Sequence, residues 1–330
     1  MSAVAIDHLL IGNSVAIRRV RSLIQRVAPT SLPVLIQGPT GSGKELAAQA
    51  LHLASGRVGR LVPFNVCAVA DSMFEDALFG HVRGAFTGAV TDVPGYLLEA
   101  DRGTIFLDEI CGLPLPAQGK LLRAVETKEF RAVGARSNAR SDFRVLAASN
   151  LDISAQVDRG SFRADLAHRL TGVVIEMPPL SVRRDDVPVL AQHFALSVEC
   201  GSHPRPRLSG DCLRLLQNHE WPGNVRELRH AVEAAVLLTD GTILGAADMR
   251  TLLRGRAVVA EEPAGQDFPR ARLVAILRVA NWDTRQASEQ LGMHRATLYR
   301  QMQRLGIRVP AEALRSSSET VQPRVIAATE

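Results

Sequence analysis

Residues 32–52 read Leu32-Pro33-Val34-Leu35-Ile36-Gln37, then Gly38-Pro39-Thr40-Gly41-Ser42-Gly43-Lys44, then Glu45-Leu46-Ala47-Ala48-Gln49-Ala50-Leu51-His52. A short apolar run of strand character enters a glycine-rich turn, and a stretch of helical composition leaves it. Strand, GxxxxGK and helix in that order form the context in which a loop cradles phosphate. Glycines let backbone N–H groups converge on phosphate oxygens, and the helix N-terminus adds its partial positive charge. Lys44 then neutralises the β- and γ-phosphates. Glu45 stands where Ser or Thr would normally offer a hydroxyl to Mg²⁺.

A metal ligand appears some 60 residues further on. Gly103-Thr104-Ile105-Phe106-Leu107-Asp108-Glu109 reads as a buried strand ending in two adjacent carboxylates. A parallel strand delivers its C-terminal end to the ligand crevice of an open α/β sheet. Asp108 there can hold Mg²⁺, directly or through water, and Glu109 can polarise the water that attacks the γ-phosphate. Paired acids at a strand end can also be a solvated turn, a reading the upstream phosphate loop argues against. A third strand, Arg144-Val145-Leu146-Ala147-Ala148-Ser149-Asn150, ends polar, and Asn150 can orient the same water. Nucleotide hydrolysis on an α/β fold with a parallel sheet is the expectation.

Arginines that complete such a site lie elsewhere. Residues 161–170 read as a helix carrying Arg163 and Arg169. Six positions rotate by about 240° on a continuous helix, so the two side chains do different jobs. A salt bridge to Asp165 is the alternative role for Arg163. Trp221-Pro222-Gly223-Asn224-Val225-Arg226-Glu227-Leu228 reads as a turn opening a helix, with Arg226 in its early turns.

Composition bounds the rest. At 330 residues, 46% hydrophobic and 22% charged, the chain suits two or three globular domains. No run approaches the ~18 apolar residues that span a bilayer, and the N-terminus MSAVAIDHLLIGNS lacks a signal-peptide pattern. Cys67, Cys111, Cys200 and Cys212 form no CxxC pair and read as buried reduced thiols. A soluble, cytoplasmic protein without membrane insertion is expected. The net charge of +5 is concentrated between Pro269 and Arg308, where eight arginines meet only Asp283 and Glu289. A basic segment on a near-neutral body suggests a polyanion-binding appendage. Residues 251–269 read as a linker. Three helices follow, Ala271–Ala280, Thr284–Leu291 and His294–Leu305, in a helix-turn-helix arrangement. Arg295, Thr297, Arg300, Gln301 and Arg304 lie on or near its recognition helix, some for base edges and others for phosphates. A small protein-binding bundle is the alternative. Residues 309–330 read as a disordered tail.

One stretch remains unexplained by these parts. Residues 81–90 read HVRGAFTGAV, in which Gly84-Ala85-Phe86-Thr87-Gly88-Ala89 sets one large apolar side chain in a flexible loop. Such a Phe is either a plug for the core or a contact for a partner.

In the order GPTGSGKE, GAFTGA, GTIFLDE, FRADLAHRL and PGNVREL, the chain resembles bacterial enhancer-binding proteins, the sigma-54-dependent transcriptional activators of the NtrC family. The similarity runs from about Leu10 to Met249 and resumes in the C-terminal forty residues, where RATLYR resembles the Fis-type domain. The resemblance implies an AAA+ P-loop ATPase subdomain over 1–175, a helical lid over 176–250, and a Fis-type DNA-binding domain over 270–308. It implies ATP and Mg²⁺ at the site, with residues 38–45, Asn150 and Arg226 at the nucleotide and Asp108 on the metal. In the family Glu is the usual residue after the P-loop lysine. The resemblance further implies that Glu109 activates water, that Asn65 switches that glutamate between engaged and idle states, and that Arg226 senses the γ-phosphate. Arg163 and Arg169 match arginines that reach a neighbouring subunit's nucleotide, so a ring is implied, usually a hexamer, homomeric or mixed with a paralogue. Residues 84–89, with Phe86 and Thr87 at the tip, match the loop that presses on sigma-54. Dimers on upstream activator DNA are implied, and with the ATPase segment starting near Met1, control by a trans-acting inhibitor or co-activator is expected. The chain departs from the family pattern at Pro39, Ser42, Val82-Arg83, Leu98, Arg102 and Ser149. A regulator that has lost sigma-54 contact, and a remodelling ATPase using its tail as an adaptor, are the competing readings.

Overall fold

The computed structural model describes residues 2–70, 73–198, 205–239 and 241–260, with Leu273, Val274, Leu277, Trp282, Met302, Leu305 and Ile307. Residues through Leu252 form one compact unit, and those from Leu253 form a second.

The first unit is built on a five-stranded parallel sheet. Its strands are β1 (Val34–Gln37), β2 (Leu61–Asn65), β3 (Thr104–Asp108), β4 (Arg144–Ser149) and β5 (Val173–Glu176), ordered β2-β3-β4-β1-β5. Successive side chains on a strand point to opposite faces. Ile105, Leu107, Val145 and Ala147 accordingly join the core on one face, and Phe106, Leu146 and Ala148 the core on the other. Both faces of β3 and β4 are covered, which is why they read as unbroken apolar runs. Pro63 interrupts β2, and β2 is an edge strand paired only to β3. Proline tolerates that position because its missing N–H can face outward.

Arg144 starts β4 with 2% of its surface exposed. Its guanidinium donates to the carbonyls of Ala28 (2.6 Å), Val27 (3.0 Å) and Leu32 (3.2 Å). Two of these carbonyls close the helix Val15–Val27, whose C-terminal dipole favours a cation. Burial, with Arg57 nearby, lowers its pKa to about 10, so it stays charged at neutral pH. Arg144→Met leaves three carbonyls without their donor. A stability loss of about 3 kcal/mol is expected in denaturant unfolding. A loss below about 1 kcal/mol would show that water replaces the guanidinium.

The lid follows β5 and carries the helices Val187–Ser197, Gly210–Asn218 and Asn224–Leu238. Trp221, 2% exposed, anchors it by donating its indole N–H to the Leu216 carbonyl at 2.8 Å. A further helix runs from Ala246 to Ala260, through the first half of the stretch read as linker. Its Leu, Arg and Ala residues favour helix strongly enough to absorb one glycine, which costs about 1 kcal/mol.

Candidate active site

The loop after β1 and the carboxyl ends of β2 and β3 open onto one cleft of about 510 Å³. Strand register sets its geometry: Asn65 sits opposite Asp108, and Gln37 opposite Ser149. The loop after β1 turns through Gly38, Gly41 and Gly43 into the helix Lys44–Ser55. Lys44 is 7% exposed and its Nζ donates to the Gly38 carbonyl at 3.0 Å, 3.8 Å from Glu109 Oε1.

Glu109 takes a left-handed φ of 52°, a conformation that costs a non-glycine residue of order 1 kcal/mol and is concentrated at functional sites. It turns the chain directly after β3, so Asp108 and Glu109 both line the cleft. The Glu109 N–H donates to Asp108 Oδ1 at 3.0 Å, and Glu109 Oε2 accepts from the Asn150 N–H at 3.4 Å. Asn150 also reaches Thr40 Oγ1 with its amide at 3.4 Å, joining the ends of β4 and β1. Asn65 lines the same cleft, but its Oδ1 accepts from the Cys67 N–H at 2.9 Å. Here it caps the short 3₁₀ turn Val66–Ala68 and makes no hydrogen bond to Glu109.

The GAFTGA loop leaves the body through a pinch of two glycines. A Cβ on Gly80 would lie 2.4 Å from the Val93 carbonyl, and one on Gly95 would lie 2.3 Å from the Gly80 nitrogen. A side chain is excluded at both of these positions. Beyond it, Gly84 donates to the Ala89 carbonyl at 2.9 Å and Ala89 to the Phe86 carbonyl at 3.1 Å, closing a tight tip. Phe86 is 44% exposed, with its ring edge-on to His81 at 5.0 Å, and Thr87 is exposed. The core-plug alternative for Phe86 does not describe this loop. Val82 donates to the Val133 carbonyl at 3.1 Å and Val133 to the Gly80 carbonyl at 2.8 Å, so a second hairpin supports the first.

Comparison with known proteins decides the family. The Sigma-54 interaction domain matches residues 10–176, the AAA+ ATPase lid domain 181–266, and the Bacterial regulatory protein, Fis family, 267–305. The chain belongs to the sigma-54-dependent activators. It is 36% identical over 315 residues to the Response regulator protein PilR of Pseudomonas aeruginosa, covering 92% of this chain and 71% of that one. It is 38% identical to the Transcriptional regulatory protein ZraR of Salmonella typhimurium, covering 92% and 70%. Among solved structures, NtrX of Brucella abortus in complex with ATP matches with a TM-score of 0.68 at 31% identity, over 90% of this chain and 69% of that one. RuvB of Thermotoga maritima, at 13% identity and a TM-score of 0.51, shares the fold alone. The chain is thus an AAA+ transcription activator with a sigma-54 interaction domain and a Fis-type DNA-binding domain.

Within this sigma-54-dependent activator, the arginines sort by location. Arg226 lines the cleft from the third residue of the lid helix Asn224–Leu238. Arg163 precedes the helix Ala164–Leu170 as its N-cap residue, where the sequence suggested a position inside it. The chain ahead is turned by the Arg163 N–H donating to Gln118 Oε1 at 2.8 Å. Its guanidinium forms a two-armed ion pair with Asp165 at 2.7 and 3.0 Å. That pairing holds the Asp165 carboxyl below its ordinary range. Arg169 lines a separate cavity of about 420 Å³ with Arg57 and Lys128. Burial, together with Arg57 and Arg169, outweighs Asp142 and lowers the Lys128 ammonium to about 8. Neither Arg163 nor Arg169 lines the cleft.

The sequence reading missed the cleft's apolar end. A cavity of about 270 Å³ continues from the phosphate loop, sharing Gly43, Leu46, Phe194, Val225 and Arg229 with the first and adding Leu10, Ile11 and Leu190. Leu10 and Ile11 arrive there because Asp186, fully buried, accepts from the N–H groups of Asn13 (2.5 Å) and Ser14 (2.7 Å) and from the Ser14 hydroxyl (2.7 Å). Cys67 is exposed beside the cleft, against the expectation of a buried thiol, because its 3₁₀ turn lies outside the sheet. Slight burial, with Glu109 and Asp108 adding to it, raises its pKa. Cys200 lies outside the described residues, as do Arg295, Thr297, Arg300, Gln301 and Arg304. Among the described residues no helix is long and apolar enough to cross a membrane.

Proposed function

We propose that this activator binds and hydrolyses ATP and uses the cycle to drive its exposed GAFTGA loop against sigma-54 RNA polymerase, remodelling the closed promoter complex. The observation that carries it is the convergence of Lys44, Asp108, Glu109 and Arg226 on one cleft, with Asn150 donating to Glu109 from the end of β4, on the same chain as an outward-facing Phe86–Thr87 tip. The apolar end of the cleft suits a purine base, and the loop amides with Lys44 suit the triphosphate. Glu109, held by the Asn150 N–H and 3.8 Å from the Lys44 ammonium, is placed to accept a proton from the attacking water. Arg226 meets the γ-phosphate from the lid, and Asn65 switches Glu109 when it releases the Cys67 amide.

The residues fit magnesium. Asp108 lines the cleft at the end of β3, one strand removed from the strand that feeds the phosphate loop, and Glu45 supplies no hydroxyl. One carboxylate, phosphate oxygens and waters match the mostly hydrated coordination that Mg²⁺ prefers. Bound there, the ion would offset phosphate charge.

Arg163 and Arg169 stand outside their own cleft, which supports their service to a neighbour's nucleotide in a ring, homomeric or mixed, with Arg163 exchanging Asp165 for phosphate. The Fis-type segment binds upstream activator DNA as dimers through Arg295, Thr297, Arg300, Gln301 and Arg304, and a partner acting in trans controls the activity. The deciding experiment is a gel shift of purified sigma-54 with the full chain, with and without ADP–aluminium fluoride. A complex that forms only with the analogue is expected. ATP hydrolysis without any complex would favour a regulator that has lost sigma-54 contact.

A further inference from the structure

Three successive carbonyls of the phosphate loop are held by the lid. The Asn224 amide donates to Thr40 at 3.0 Å. The backbone N–H groups of Val225 and Arg226 donate to Gly41 at 3.0 and 3.3 Å. The Arg183 guanidinium donates to Ser42 at 2.8 Å.

Each donor is itself fixed. Asn224 is 4% exposed and accepts from the Leu180 N–H at 2.8 Å, and Arg183 is 3% exposed. Burial lowers the Arg183 pKa while Asp186, tied to the Asn13–Ser14 segment, opposes the shift. The approach is close: at φ 77°, a Cβ on Gly41 would lie 2.3 Å from the Gly223 carbonyl. Gly41 is not a glycine of the GxxxxGK pattern, which uses Gly38 and Gly43. Its glycine answers to the lid turn.

A trans peptide unit is planar, with C=O and the next N–H pointing in opposite directions. Holding the Thr40 and Ser42 carbonyls against the lid therefore turns the Gly41 and Gly43 N–H groups away from it. We propose that this latch makes the lid a positioning element of the phosphate cradle, with Arg183 and Asn224 as positioning residues that fix the peptide planes of residues 40–43 for the nucleotide. The proposal rests on the nucleotide-binding reading above. Lid seating and nucleotide affinity are then linked, and linkage is reciprocal: whatever unseats the lid weakens binding, and binding tightens the seat.

The test uses the full-length chain and ADP as the probe. Arg183→Met is expected to weaken ADP binding about tenfold in calorimetry, with Arg183→Lys recovering most of the loss. In the wild type, saturating ADP is expected to slow hydrogen exchange at the Val225 and Arg226 amides about tenfold. Unchanged ADP affinity in Arg183→Met overturns the latch. Should that variant fail to fold, unchanged exchange at Val225 and Arg226 in the wild type overturns it alone. A wild-type chain that does not bind ADP at all removes the nucleotide reading, and the latch with it.

Discussion

Glu109→Gln is expected to bind ATP with near wild-type affinity and to hydrolyse it at least about 100-fold more slowly, the usual loss when a general base is removed. The amide keeps the shape of the carboxylate and its hydrogen bond from the Asn150 N–H. It cannot take a proton from water. Steady-state phosphate release measures the rate, and a fluorescent nucleotide measures binding. The two together separate lost chemistry from a collapsed site, because Lys44 lies 3.8 Å from this carboxylate and could lose its place with it. A variant that still turns over at a tenth of the wild-type rate would move the proton acceptor elsewhere. On the proposed ring, mixing Glu109→Gln with Arg169→Ala should restore part of the hydrolysis, since a mixed assembly would set an intact cleft beside an intact arginine. No recovery would argue that Arg169 stays on the cavity it shares with Arg57 and Lys128.

Thr87→Ala is expected to do the reverse, keeping ATP hydrolysis within about twofold while promoter opening falls by about 100-fold. The loop sits apart from the cleft, on its own glycine-pinched hairpin, so removing an exposed hydroxyl there leaves Lys44, Asp108 and Glu109 untouched. What it removes lies on the proposed contact surface, beside a Phe that is 44% exposed. Losses of this size arise when a contact is needed in the strained state and scarcely at all in the ground state. Open-complex formation on a sigma-54 promoter reports the first quantity and phosphate release the second. Full activation by Thr87→Ala would leave Phe86 or a neighbouring surface to carry the contact.

Most of the cleft's polar lining was legible because phosphate and metal chemistry restricts residue choice. Gly38, Gly43 and Lys44 in one spacing, and paired acids after an apolar strand, have few other uses. The parallel sheet was legible for a related reason, since β3 and β4 are apolar on both faces. The apolar end of the cleft was not legible. Leu10, Ile11, Leu190 and Phe194 have the composition of ordinary core, and only three-dimensional placement shows that they border a cavity. Side-chain partnership was equally hidden: Asn65 can face Glu109 or cap its own turn, and a local N–H at 2.9 Å decides the matter here. Arg163 belonged to a helical pattern read from residue 161, yet with its N–H bonded to Gln118 the helix starts only at Ala164. The latch on residues 40–42 is invisible for a different reason, because much of it is made by backbone groups that every sequence possesses.

Pro63 carries a consequence for how copies of this chain meet. A free sheet edge is a template on which a second chain can add a strand. Proline in the middle of β2 deletes the outward donor that such a ladder would use. An added strand finds no complete ladder there, and that edge is guarded against the uncontrolled growth that turns assemblies into fibres.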